Sequence, residues 1–219
     1  MRTRLVHGFC FALILSATFC RTPSADRFKC MDIPLQNQLG LISMLIPVEF
    51  DTFFTWKNVS DCGACCDLMM YRFADKDYSL LQETGMFPTQ IPDSLLQFTI
   101  SHKAGKKCDK DWRITLNTRD SLVSVLEAQD AENFVGGEPI YWLRREFLSI
   151  DKHAFVILGY RSKHLHGYAS SGIPTVVEAI TIIDNQILQL TFECTGSDCT
   201  KFVAKIDKSL RSIRFKKLN

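Results

Sequence analysis

The 219-residue chain lacks most features that would assign it to a specialised class of protein. Beyond the N-terminal stretch GFCFALILSATFC, no segment approaches the roughly 20 apolar residues that a membrane-spanning helix needs. The formal net charge is only +2, and the basic C-terminal run RFKKLN is typical of a solvated chain end. Internal repeats, low-complexity tracts and Pro/Gly/Ser-rich linkers are also missing. These absences favour a single domain and argue against a nucleic-acid or membrane partner.

The N-terminus has the pattern of a secretory signal peptide. Arg2 and Arg4 precede the apolar stretch, and the polar RTPSAD follows it. This order predicts a signal peptide over residues 1–22, with cleavage between Cys20 and Ala25, although a short membrane anchor is an alternative. The remaining residues, 23–219, are expected to form one domain of a secreted or lumenal protein without membrane contact.

Cysteine content fits an oxidising compartment. Seven cysteines remain after the predicted cleavage: Cys30, Cys62, Cys65, Cys66, Cys108, Cys194 and Cys199. Six of these can pair, which leaves one as a reactive thiol or an intermolecular bridge. The spacing in CTGSDC allows Cys194 and Cys199 to staple a small turn.

The hydrophobic pattern predicts helices first and strands second. Residues 40–56 are expected to be extended, and helices are predicted over 62–74, 77–84, 92–105 and 118–134. Five β-branched and aromatic runs then predict strands: EPIYWLRREF, HAFVILGYR, TVVEAITIID, QILQLTFEC and KFVAKID. SLRSIRFKKL is a further strand or a closing helix. This order predicts an α+β fold with an antiparallel sheet packed on a helical layer.

The segment SDCGACCDLMMYRF carries the candidate chemistry. Asp61 suits a helix N-cap, and Cys62 would follow it at the helix start, where the helix dipole stabilises a thiolate. A thiol nucleophile needs a base, and His153 opens a strand-like run. Asp184 ends the next β run and could orient the imidazole if the two strands are neighbours, with Asn185 as the alternative.

These residues resemble a known family. DCGACC, then GEPIYWL, then KHAFVILGY is similar to the papain-fold cysteine peptidases, a fold in which a nucleophile helix packs on an antiparallel sheet. The interval from Cys62 to His153 is closest to the double-glycine-leader peptidases of bacteriocin transporters. The guanylyl-cyclase-domain-containing protein family is also similar.

The resemblance implies a secreted cysteine hydrolase, a peptidase or amidase, acting on a peptide or protein without a cofactor. Cys62 would attack, His153 would act as base, and the backbone N–H of Cys62 would form part of the oxyanion hole. The family has a glutamine where this chain has Trp56, so the amide of Asn58 is the substitute donor. The cathepsin motif Cys-Gly-(Ser/Ala)-Cys would instead make Cys65 the nucleophile.

Simpler interpretations stay open beside the catalytic one. All three clustered cysteines can be disulfide-bonded, and His153 can be a core histidine. Asp184 and Asn185 can be the two-residue turn of a hairpin. Asn58 begins the glycosylation acceptor NVS. No second Cys/His pair at ligand spacing predicts a metal. The chain could therefore also be a non-catalytic binding or surface protein, or an acyl or peptidyl transferase.

Overall fold

The computed structural model describes residues 27–61, 67–74, 96–104, 113–132, 140–162, 173–196 and 199–217. Within them the chain forms ten strands and two helices. The strands are β1 (Phe28–Leu35), β2 (Gly40–Pro47), β3 (Thr52–Asn58), β4 (Leu68–Ala74), β5 (Leu96–Lys103), β6 (Tyr141–Ile150), β7 (His153–Arg161), β8 (Thr175–Ile183), β9 (Gln186–Cys194) and β10 (Arg214–Lys216). The helices are α1 (Leu116–Glu132) and α2 (Cys199–Arg211).

The strands form two antiparallel sheets. The smaller sheet has the order β1-β2-β10, and the larger has the order β3-β4-β5-β9-β8-β7-β6. Every neighbouring pair is antiparallel. The two edges of the larger sheet are therefore β3 and β6.

The main core lies on one face of the seven-stranded sheet. Alternating residues of its strands point to this face because side chains along a strand alternate between faces. Phe98 and Phe192 stack there with ring centroids 4.2 Å apart. The three-stranded sheet and α2 pack against the same cluster through Ile42 and Phe202, among others. This core joins the two sheets.

The opposite face of the large sheet is covered at one end by α1. Val123 of α1 is buried against Val156, Leu158 and Tyr160 of β7, together with Val176 of β8. The remainder of this second face, on β4, β5 and β9, carries mainly polar side chains, which form the candidate site described below.

The α+β papain-like fold expected from the sequence is wrong, because the structure is mainly antiparallel β-sheet. The predicted nucleophile helix over 62–74 is contradicted by β4, which occupies Leu68–Ala74. Met69, Tyr71 and Phe73 are buried on the core face. Their period of two fits a strand, and the helical spacing of Leu68, Met69 and Phe73 was coincidental.

Two further predicted elements have the wrong type. The part of the helix predicted over 92–105 that the structure describes is strand β5, Leu96–Lys103, where Phe98, Ile100 and His102 alternate with polar residues. The strand predicted for KFVAKID lies inside α2, because Phe202, Ile206 and Leu210 recur at four-residue intervals and are buried on one side.

Other predicted elements are confirmed. A helix occupies Leu116–Glu132, close to the predicted 118–134. Strands β7, β8 and β9 match the predicted runs to within a residue. The predicted Cys194–Cys199 disulfide is present, with a Cα–Cα distance of 5.6 Å, and it joins the end of β9 to the start of α2.

Candidate ligand site on the seven-stranded sheet

A group of polar side chains shares the second face of the large sheet beyond the edge of α1. We call this group the polar face: Arg72, Gln97, Thr99, Glu178, Gln189, Thr191 and Glu193. The strand registers place Arg72, Thr99, Thr191 and Glu178 in one row across four strands. Gln97 lies opposite Glu193 in the next row. These positions alternate with core residues, so the polar face is a direct consequence of strand periodicity.

One side-chain network crosses the polar face from β4 to β9. The Nη1 atom of Arg72 donates to Oε1 of Gln97 at 2.5 Å. The amide nitrogen of Gln97 in turn donates to Oε2 of Glu193. All three residues are buried. Gln97 therefore bridges a buried guanidinium and a buried carboxylate, and it satisfies hydrogen-bonding groups that would otherwise be costly to bury.

A second network surrounds Glu178 on β8. Its Oε1 atom accepts a hydrogen bond from the hydroxyl of Tyr160 and another from the amide of Gln189, both at 3.2 Å. Burial is the largest cause of a strongly raised pKa of Tyr160, and the negative charges of Glu178 and Glu193 raise it further. Tyr160 therefore remains a neutral phenol that donates to Glu178.

The polar face holds two carboxylates and one guanidinium. Glu178 lies opposite Thr191, and Glu193 lies opposite Val176, so the two glutamates are diagonal neighbours on adjacent strands. Diagonal positions are about 7–8 Å apart. Both glutamates are buried. Their combined negative potential, which Tyr160 also experiences, favours a positively charged group at this surface.

Aromatic side chains border the polar face at the β3 edge. Phe54 and Trp56 stack with ring centroids 5.4 Å apart, and the guanidinium carbon of Arg72 lies 5.5 Å from the Trp56 ring centroid. Trp56, Gln189 and Thr191 are half-buried, whereas Glu178 and Glu193 are buried. The site thus has a buried charged floor and a partly open aromatic and amide border.

The predicted nucleophiles Cys62 and Cys65 lie outside the described residues. The described flanks place their segment in the connection between β3 and β4, since Asn58 pairs with Leu68. Asp67 anchors this connection through its carboxylate. Oδ1 accepts the backbone N–H of Ser60 at 3.0 Å, and Oδ2 is 2.6 Å from Nζ of Lys57. The hydrogen bond from Lys57 and that from Ser60 hold the pKa of Asp67 below its usual value.

His153 is separated from the strand that follows the cysteine motif. It is the first residue of β7, and β7 is four strands away from β4 in the sheet order. Strand spacing makes this separation about 19 Å. The His153 ring packs at 67° against Phe215 of β10, with centroids 4.7 Å apart. These contacts give the proposed thiol–imidazole pair no support, and the pair stays a prediction.

Asp184 and Asn185 form the turn between β8 and β9. Ile183 pairs with Gln186, and both turn residues are exposed with φ of 47° and 61°. This arrangement matches the hairpin-turn interpretation of the sequence. Strands β7 and β8 are neighbours, as the triad hypothesis required, so Asp184 lies at the same end of the sheet as His153. The substitute oxyanion residue Asn58 ends β3 and is exposed.

The polar face was not predicted from the sequence. Its glutamates lie in TVVEAITIID and QILQLTFEC, which were recognised only as strands. A charged residue inside such an apolar run is a usable signal, because a fully covered strand reads as continuously hydrophobic. The diagonal contact of Glu178 with Glu193 depends on strand register, which the hydrophobic pattern alone did not provide.

Among the residues that the structure describes, no group of three or more His, Cys, Asp or Glu side chains could hold a metal ion. Neither of the two helices in those residues is long and apolar enough to cross a membrane.

Comparison with known proteins does not support the peptidase resemblance. No family model and no curated protein matches the chain. The solution structure of the cyanobacterial PsbP, CyanoP, from Synechocystis sp. PCC 6803 is similar, with 13% identity, 90% of this chain and 97% of that chain covered, and a TM-score of 0.46. The crystal structure of PA94, a Pseudomonas aeruginosa protein of unknown function, is similar with 15% identity, 75% and 99% coverage, and a TM-score of 0.42. The resemblance to papain-fold peptidases is wrong, because strand β4 of an antiparallel sheet occupies Leu68–Ala74, where that fold requires the nucleophile helix.

Proposed function

We propose that this protein is a secreted, non-catalytic binding protein that takes a basic side chain of a peptide or protein partner on the polar face. The observation that carries the proposal is the pair of buried glutamates, Glu178 and Glu193, on adjacent strands of one sheet face. Secretion is supported by the signal-peptide pattern and by the Cys194–Cys199 disulfide, which is typical of oxidising compartments.

Stability alone does not account for charges at these positions. The same sheet face is apolar where α1 covers it, around Val156 and Leu158. Replacing buried ionic groups with apolar residues of similar volume is often neutral or stabilising. The presence of Arg72, Glu178 and Glu193 in the middle of strands therefore favours a role in recognition.

The chemistry of the border suits an arginine or lysine side chain. Carboxylates accept charge-assisted hydrogen bonds from a cationic head group. The half-buried Trp56 can cover the apolar stem or the cation itself. The amide of Gln189 and the hydroxyl of Thr191 add neutral hydrogen-bonding groups that fix orientation, as in most ligand sites.

Two matched peptides test the proposal. Ac-Gly-Gly-Arg-Gly-Gly-amide and the same peptide with citrulline in place of arginine differ by one charge at nearly constant shape. We expect calorimetry at low ionic strength to show binding of the arginine peptide at least tenfold tighter, which corresponds to about 1.4 kcal/mol. Trp56 fluorescence should change on binding.

Variants identify the site. Glu178→Gln and Glu193→Gln keep the side-chain shape and should each weaken the arginine peptide at least tenfold. Glu146→Gln on β6 makes the same chemical change outside the polar face and should leave affinity unchanged. Equal affinity for the two peptides, no binding of either, or an unaffected Glu178→Gln variant would contradict the proposal.

A further inference from the structure

Positive charge is concentrated at the C-terminal end of the chain. Residues 199–217 contain seven lysines and arginines and one acidic residue, Asp207, whereas the other 200 residues contain 19 basic and 23 acidic residues. The net charge of the whole chain is only +2 because a basic C-terminal segment and an acidic remainder nearly cancel. The sequence pattern suggested only a solvated chain end, but the basic residues extend through α2 and β10.

The basic side chains form a line on the surface. On α2, positions 201, 205 and 208 fall on one flank because residues four and three apart are neighbours on a helix. Arg214 and Lys216 are exposed on β10 and share a face, since they are two apart on a strand. We call these residues, together with Arg211, the basic strip: Lys201, Lys205, Lys208, Arg211, Arg214 and Lys216.

Contacts place the two parts of the basic strip on the same side of the molecule. The Nζ atom of Lys208 lies 4.4 Å from the centroid of the Phe28 ring, and Lys216 lies 3.7 Å from Asp32. Phe28 and Asp32 are an even number of residues apart on β1, so both project from the same face of the three-stranded sheet. Arg214 also donates to the backbone carbonyl of Arg211 at 3.3 Å, which joins α2 to β10.

Five of the six residues of the basic strip are exposed, all except Lys205. Lys205 pairs with Glu49. The Lys216–Asp32 pair is exposed on both sides, at 57% and 54%, and exposed pairs of this kind contribute little. Lys208 and Arg211 are exposed.

We infer that the basic strip binds a sulfated polysaccharide. The helical part extends from Lys201 to Arg211, about 15 Å at 1.5 Å per residue, and β10 extends it further, which suits a linear chain that presents repeated anionic groups. An anionic bilayer is disfavoured because none of the exposed large hydrophobic residues of the described chain lies on α2 or β10 to insert into lipid. Single-stranded nucleic acid is disfavoured because α2 and β10 carry no exposed aromatic residue on which bases could stack, and the neighbouring Phe28 ring is already in contact with Lys208. The choice of sulfated polysaccharide over nucleic acid also rests on the secretion proposed above, because a secreted protein reaches extracellular polysaccharides.

Affinity for a heparin oligosaccharide tests this inference. We expect binding whose affinity falls linearly with the logarithm of salt concentration, as counterion release requires. The triple variant Lys208→Gln, Arg211→Gln, Lys216→Gln should lose at least tenfold in affinity and show a shallower salt slope. The control Arg113→Gln, Arg119→Gln, Arg145→Gln removes the same charge from α1, the residues before it and β6, and should change affinity less than twofold.

Competition separates the possible polyanions. We expect neither duplex DNA nor vesicles containing phosphatidylserine to displace heparin at equal charge concentration. Equal losses in the two triple variants would show a dependence on net charge alone and overturn the inference. Tighter binding to DNA or to vesicles than to heparin would also overturn it. The arginine-peptide site involves none of these residues, so the two experiments can fail independently.

Discussion

The hydroxyl of Tyr71 lies 3.2 Å from Nε2 of His102 in the buried core. Nδ1 of His102 lies 2.8 Å from the carbonyl oxygen of Lys103, to which it can only donate. Nε2 is then the acceptor, and Tyr71 is the donor. The Tyr71 oxygen accepts the backbone N–H of Gln36 at 2.9 Å. This chain of hydrogen bonds fastens the β1–β2 turn to β4 and β5 and requires a neutral imidazole.

Stability should therefore decline in mild acid. Burial lowers the pKa of His102 below its ordinary value of 6.5, although its bond to the Lys103 carbonyl partly opposes this effect. The unfolded chain binds the proton more readily, so the contribution of His102 to the free energy of unfolding is constant above about pH 6.5 and falls as the pH drops below it. Urea unfolding between pH 5 and 8 should show a slope of at most about 1.4 kcal/mol per pH unit from this residue.

His102→Gln is the matched variant for this measurement. Its amide oxygen can accept from the hydroxyl of Tyr71, and it does not titrate in this range. We expect a flatter profile between pH 5 and 6.5 than in the unmodified protein. An identical decline in both proteins would assign the acid sensitivity to other groups.

Replacing all three residues of the Arg72–Gln97–Glu193 network should cost less stability than replacing Gln97 alone. Gln97→Leu leaves a buried guanidinium and a buried carboxylate without their bridge, and we expect a loss of about 3 kcal/mol in the free energy of unfolding. The triple variant Arg72→Met, Gln97→Leu, Glu193→Met should recover most of this loss and still fail to bind the arginine peptide. A triple variant as unstable as the single one would indicate a structural role for the network.

The turn between β6 and β7 contains removable strain. Asp151 and Lys152 have φ of 46° and 68°, a left-handed conformation that costs most residues about 1 kcal/mol. Lys152→Gly should raise the free energy of unfolding by about 0.5–1 kcal/mol, since this type of two-residue turn favours glycine. Lys152→Val should lower it. Asp151 is left unchanged because its Oδ2 accepts the backbone N–H of Phe215 at 2.6 Å.

A labelling experiment addresses the hydrolase hypothesis directly. If His153 activates Cys62, its removal should slow alkylation of that thiol by iodoacetamide. The four-strand separation of β7 from β4 leads us to expect no change in the Cys62 rate in His153→Ala. We also expect a loss of about 1 kcal/mol in stability, from the ring contact with Phe215. His153→Phe should restore most of that stability. A tenfold slower reaction at Cys62 in both variants would support activation of the Cys62 thiol by His153.

The elements that were predicted well have unambiguous local patterns. HAFVILGYR and QILQLTFEC are rich in β-branched and aromatic residues, and polar turns bound them. The helix over Leu116–Glu132 contains Leu122 and Leu126 at helical spacing, and both pack against the cluster around β7. In these segments, local propensity and tertiary packing favour the same structure.

In the elements that were predicted wrongly, the hydrophobic residues fit both the helical spacing of three to four residues and the strand spacing of two. In LMMYRFA, the helical positions Met69 and Phe73 are also strand positions, with Tyr71 between them. The segment forms a strand because it pairs with β3 on one side and β5 on the other. The hydrophobic pattern of the segment alone does not reveal such long-range pairing. The candidate site was not predicted for a related reason. Gln97 connects Arg72 to Glu193 because β5 lies between β4 and β9 in the sheet, and this strand order cannot be read from the local sequence.

The Cys194–Cys199 bridge has a consequence for how the chain tolerates proteolytic cleavage. A protease that cut between residues 195 and 198 would leave the C-terminal fragment covalently attached to β9 through sulfur. A cut inside α2, for example after Lys205, would leave everything beyond it held by noncovalent contacts alone, among them the β10–β2 pairing. Nicks a few residues apart should therefore produce a cross-linked two-chain molecule in one case and a dissociable fragment in the other.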